Sequence, residues 1–169
     1  MGSSCAKRIV VLEKSGYTME VLRQILRSCR KENYTAVGAG ETVPQGTPSS
    51  ILLACGPECP VEAEGYGACV ADYESAFPPG FAGFGRLTTY SVDRDGADFT
   101  AKNIRSAQDG STAFEIVGSG IIGRVRLGAG MPGVRCALAA ASAALAAGIP
   151  FADVLRALNE IQSVGPPGA

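Results

Sequence analysis

The chain contains no histidine and no tryptophan. Without histidine, no imidazole can activate a serine or cysteine nucleophile or ligate a metal. Long apolar runs are also missing. None reaches the roughly 20 residues that cross a bilayer, so no membrane span is expected. The N-terminus lacks the apolar core of a secretory signal. Met1-Gly2-Ser3-Ser4-Cys5 faintly suggests a lipidated start, but Ala6 stands where the myristoylation pattern wants Ser or Thr. Charge is scarce, at 18% of residues, and Lys plus Arg (15) nearly balance Asp plus Glu (16). With no basic stretch, nucleic acid is not an expected partner, and the cytoplasm is the expected address.

Cysteine is present six times, as Cys5, Cys29, Cys55, Cys59, Cys69 and Cys136. In a cytosolic domain these are expected to be reduced, mostly buried thiols. Cys55, Cys59 and Cys69 could supply part of a zinc site. The remaining ligands have no source, because no histidine and no second closely spaced pair exists, so no metal is expected. A reactive thiol needs a cation or helix N-terminus beside it, and no basic residue adjoins this cluster in sequence.

The 169 residues fit one domain. Residues 1–6 read as a disordered leader, 7–164 as the domain and 165–169 as a tail. The domain is organised around GMPGVRCALAAASAALAAGI, residues 130–149. Val134, Leu138 and Leu145 fall at helical spacing, and Ala137, Ala140, Ala144 and Ala147 let the helix approach its neighbours closely. Gly148 is placed to end it in a left-handed turn, and Pro150 to open the next helix, at 151–162. At the start of the chain, Lys7 to Leu12 is a β-branched strand. Residues 18–30 follow as a helix with Val21, Leu22, Ile25, Leu26 and Cys29 on one face, and Thr35 to Val37 as a second strand. This is a βαβ unit. Residues 50–55 and about 68–73 read as further strands, and 76–85, with paired prolines and three glycines, as irregular chain. Strands at 87–92, 99–106, 112–117 and 121–127 follow, the last with Val125 and Leu127 inward and Arg124 and Arg126 outward. The expected fold is α/β: a βαβ start with a mainly parallel sheet, then a small antiparallel sheet and two packed C-terminal helices.

This order of elements resembles the central, ATP-binding domain of the Mur ligases, which join an amino acid to a carboxylate through an acyl phosphate. Residues 97–104, ADFTAKNI, are similar to the family's aDi-x-A-x-Ni strand, and 110–114, GSTAF, to its G-S-x-F continuation. Residues 127–149 resemble its alanine-rich helix, and 149–161 the helix that follows. The likeness runs from Leu87 to about Val164, is weaker over residues 7–38, and is absent from 39–85.

By this resemblance the fold begins in a P-loop-like turn, where the family carries G-T-x-G-K-T/S to cradle phosphate and hold magnesium. Here the stretch is Glu13-Lys14-Ser15-Gly16-Tyr17-Thr18. Gly16 and Thr18 match, and Lys14, Ser15, Gly16 and Thr18 are the nucleotide-binding candidates that the resemblance implies. Glu13 replaces the first glycine and is expected to repel an anion; Tyr17 replaces the lysine. The family's His-Asn pair aligns with Pro132-Gly133, its adenine-contacting Asn with Cys136, and its later Gly-Arg with Gly165-Pro166. A magnesium-binding glutamate, an N-x-x-D-H-x-D segment and a carbamylated lysine have no clear counterpart, and Glu41, Glu58, Glu62 and Glu64 read as loop charge. No catalytic residue is assigned.

The expectation is therefore a shortened, non-catalytic relative that acts as a binding or scaffold module. Its partner would be a protein, a second copy of itself or a peptidoglycan precursor, and no cofactor is expected. The alternative is a remnant or split ATP-dependent amide ligase, which would use ATP and magnesium in cell-wall or folate-type amino-acid ligation.

Overall fold

The computed structural model describes residues 7–13, 16–38, 46–55, 65–74, 86–161 and 163. The expected leader and tail, Lys14, Ser15, Cys59 and the loop acids Glu41, Glu58, Glu62 and Glu64 lie outside these residues. Strand β1 (Lys7–Leu12) pairs in parallel with β2 (Tyr34–Gly38) on one side and β3 (Ile51–Ala54) on the other. Two further parallel strands follow, β4 (Ala68–Asp72) and β5 (Leu87–Ser91). Covered on both faces, β3 is apolar throughout rather than alternating, whereas β5 buries Thr89, Tyr90 and Ser91. Ile9, Val11, Ile51, Leu53 and Val70 enter the larger core. Val10, Leu12, Leu52, Ala54, Cys69 and Ala71 form a smaller one on the opposite face with Tyr66.

The antiparallel strands β6 (Phe99–Ser106), β7 (Thr112–Gly118) and β8 (Ile121–Leu127) are not a separate small sheet. Among the described residues they continue the first, giving eight strands in the order β2-β1-β3-β4-β5-β6-β7-β8. Parallel neighbours normally need a crossover of a dozen or more residues. Here only Tyr90 and Ser91 pair with Phe99 and Thr100, so residues 92–98 need only step sideways. Asp98 pins that step, its Oδ2 accepting from the Thr89 N–H (2.8 Å) and hydroxyl (3.1 Å).

Helices α1 (Tyr17–Ser28), α2 (Val134–Ala146) and α3 (Phe151–Glu160) cover the larger core. Every residue of α2 from Ala137 to Ala144 is buried, and the small side chains let it lie against α1 and the sheet together. Gly148 ends it with φ 92°, while the Ile149 N–H bonds the Ala144 carbonyl at 3.2 Å. Helix α1 stops two residues short of the expected Arg30. That residue takes a left-handed φ of 52°, and the Lys31 N–H returns to the Leu26 carbonyl (2.9 Å). Likewise α3 ends at Glu160 because Ile161 is extended.

At the open edge, β8 buries Val125 and Leu127 and exposes Arg124 and Arg126, as its alternation predicts. The Asn159 side chain of α3 meets this edge, its Oδ1 accepting from the Arg126 N–H (2.8 Å) and its Nδ2 donating to the Arg124 carbonyl (3.1 Å). Among the described residues no helix is long and apolar enough to cross a membrane.

Candidate functional site

The C-terminal ends of parallel strands are where open α/β sheets hold their ligands. Here that edge carries Glu13 after β1, Cys55 after β3, Asp72 and Glu74 at the end of β4, and Tyr90 and Ser91 on β5. Contacts from α1 and α2 bring the first turns of both helices to the same place.

At α1, Gly16 occupies the N-cap with φ 76°, a left-handed conformation that favours glycine and turns the chain sharply from strand into helix. No cap residue's side chain bonds the first helical amides. Glu13 does so instead. Its Oε2 accepts from the Thr18 N–H at 3.1 Å and its Oε1 from the Met19 N–H at 2.9 Å. A carboxylate on unpaired N–H groups at the positive end of a helix is a favourable arrangement. Thr18 is buried, and its side chain lies beside the Cys136 thiol of α2. Tyr17, at the position of the family's lysine, is exposed.

The second half of the site centres on Arg135, in the first turn of α2. Its Nη1 lies 2.5 Å from Asp72 Oδ2 and its Nη2 3.6 Å from Glu74 Oε2. Burial works to lower the guanidinium pKa, but Asp72 and then Glu74 outweigh it and hold it above its ordinary value. Asp72 is buried, and its Oδ1 accepts the Glu74 N–H at 3.0 Å. Ser91 Oγ donates to Glu74 Oε1 (3.2 Å) and accepts the N–H groups of Asp93 (3.1 Å) and Arg94 (2.9 Å). Among the described residues, the buried Tyr90 hydroxyl has no well-formed hydrogen bond. Burial, then the Cys55 thiol and Asp72, push its pKa far above the usual phenol range. Burial likewise raises the Cys136 thiol, against the lowering influence of the Thr18 side chain; Glu13 raises it further and Arg135 lowers it.

Of the four nucleotide-binding candidates, Gly16 and Thr18 meet at the α1 N-terminus, whereas Lys14 and Ser15 lie outside the described residues. The sequence reading missed the group Asp72, Glu74, Ser91 and Arg135. Its signals were two acids just after a buried strand and one arginine in the first turn of an otherwise apolar helix. Among the described residues no three His, Cys, Asp or Glu side chains converge as a metal would require.

The structure is similar to MurF from Acinetobacter baumannii, with 16% identity and a TM-score of 0.64 over 94% of this chain and 46% of that one. A UDP-N-acetylmuramoyl-L-alanyl-D-glutamate–2,6-diaminopimelate ligase matches at 10% identity, TM-score 0.62, over 94% and 47%. A pseudomurein peptide ligase type C from Methanothermus fervidus matches at 13% identity, TM-score 0.58, over 96% and 51%. At the level of sequence alone, no protein-family model and no curated protein matches the chain. The architecture is a Mur ligase-like α/β fold, as expected from the second half of the sequence, and the chain spans about half the length of the structures it matches. The sequence resemblance implies phosphate and magnesium at the α1 N-terminus and Thr18. Here Glu13 takes two of the α1 amides and Thr18 is buried beside Cys136, so the described residues as placed do not fit a nucleotide phosphate.

Proposed function

We propose that this Mur ligase-like chain is a binding or scaffold module, engaging a protein partner or a second copy of itself, and does not carry out ATP-dependent ligation. One observation carries the reading: the charge at the strand ends. Glu13, Asp72 and Glu74 place three carboxylates there, and the guanidinium of Arg135 is engaged by two of them. Phosphoryl transfer depends on cations positioned to neutralise the transferring group. Among the described residues, an edge with this balance disfavours a nucleotide polyphosphate.

The test is calorimetric titration of the protein with ATP and magnesium, paired with sedimentation equilibrium. No saturable heat up to low millimolar nucleotide, with no rise in Tm, is the expected result. Saturable binding would overturn the reading and favour a split ATP-dependent amide ligase. Sedimentation as a dimer would point to a second copy as the partner, and as a monomer to another protein.

A further inference from the structure

We infer that Glu13 is a built-in occupant of an oxyanion site: its carboxylate fills, from within the chain, the position at the α1 N-terminus that a phosphate-class anion would take. The inference rests on the reading above that no nucleotide is used, and it concerns why.

The carboxylate does not merely approach the helix. Each of its oxygens takes one of two successive backbone N–H groups, Thr18 at 3.1 Å and Met19 at 2.9 Å. That bidentate match to adjacent amides is the geometry with which a helix start receives an oxyanion. Three features of the chain produce it. Glu13 directly follows the last residue of β1, so its backbone is fixed by the sheet. Gly16, at φ 76°, reverses the chain so that the first helical amides face back toward the strand end. The cap position, being glycine, supplies no competing side chain. A glutamate at this place therefore serves both as helix cap and as plug.

The plug has a competitive advantage over any dissolved anion. It is tethered within a few residues of its donors, which corresponds to an effective concentration of about millimolar or more. A free oxyanion must displace it and also endure the field of Asp72 and Glu74 nearby. The anion-binding geometry of the fold is thus retained but internally satisfied.

The experiment titrates inorganic pyrophosphate into the wild-type protein, Glu13→Ala and Glu13→Gln, following the amide 1H–15N resonances of Thr18 and Met19. Wild-type resonances are expected to stay fixed up to about 10 mM ligand, above the tethered carboxylate's own scale. In Glu13→Ala both resonances move on substitution, then shift saturably with pyrophosphate at least about tenfold more tightly than in the wild type. Glu13→Gln keeps the side-chain shape without the charge; it shows the same gain to a smaller degree and serves if the alanine variant does not fold. Equal response in wild type and variants, or none in either variant, overturns the plug. Wild-type binding of ATP with magnesium would instead overturn the functional reading, so the two failures are distinct.

Discussion

Helices α1 and α2 begin at the same edge of the sheet but meet it with opposite charges. The first turn of α1 receives a carboxylate directly, from Glu13. The first turn of α2 has no side-chain cap on its N-cap Gly133, contains no acid, and carries Arg135. A cation at the positive end of a helix is unfavourable by about 0.3–1 kcal/mol. Asp72 and Glu74 offset this by pairing with the guanidinium. Negative charge from the strand ends therefore reaches both helix starts, at α1 by contact and at α2 through an intervening cation. The direct route takes the Thr18 and Met19 donors, whereas the indirect route leaves Arg135 half exposed, with guanidinium N–H groups beyond those two pairs.

Removing the intermediary should break this comparison most severely. Arg135→Ala strands the buried Asp72 carboxylate without its cation and is expected to cost about 2–4 kcal/mol in urea unfolding. Asp72→Ala should cost less, since the arginine can turn to water; equal costs would show that the pair does not work as described. Alkaline pH comes next, because Cys136 lies under the influence of both helix starts. Its thiol pKa is raised in the folded state, so its contribution is complete below the unfolded thiol value and is lost as pH rises toward the folded one. Unfolding free energy should fall by up to about 1.4 kcal/mol per pH unit above roughly pH 8.5. The Tyr90 phenol, also raised, adds to the fall above roughly pH 10. Cys136→Ala should flatten the first part of the profile; an unchanged slope would remove Cys136 from the account.

Smaller effects sharpen the contrast. Glu13→Ala removes the only described side-chain acceptor at the start of α1 and should cost about 1 kcal/mol, read as a lower urea midpoint. Gly133→Ser should do the reverse at α2. The position is extended (φ −63°, ψ 173°), and an added Cβ meets nothing within 4 Å. A gain of a few tenths of a kcal/mol, about 1 °C in Tm, is expected.

The elements themselves were largely legible. β1 showed in its β-branched run, α2 in its alanines and Gly148, and β8 in its alternation of Val125 and Leu127 with Arg124 and Arg126. Each of those signals is local. The end of α1 at Ser28 was not legible, because the left-handed residue just beyond it is Arg30 and no glycine marks the stop. The joining of β5 to β6 was hidden as well, since two paired residues at a stagger have no periodicity of their own. At the site, Glu13 was visible as an anion out of place but not as the acceptor for two amides, which needs the turn at Gly16. Asp72 and Arg135 are 63 positions apart, and only the stacking of α2 on β4 makes them a pair.

One amide side chain decides where this sheet stops. Asn159 gives the outer strand β8 the donor and acceptor that a ninth strand would offer. It sits on α3, and so leaves the ribosome after all eight strands described above. For that interval of synthesis β8 has an exposed, bondable rim, the kind of surface on which nascent chains pair with one another. Arg124 and Arg126, both exposed on that strand, supply like charge along the rim until the asparagine arrives.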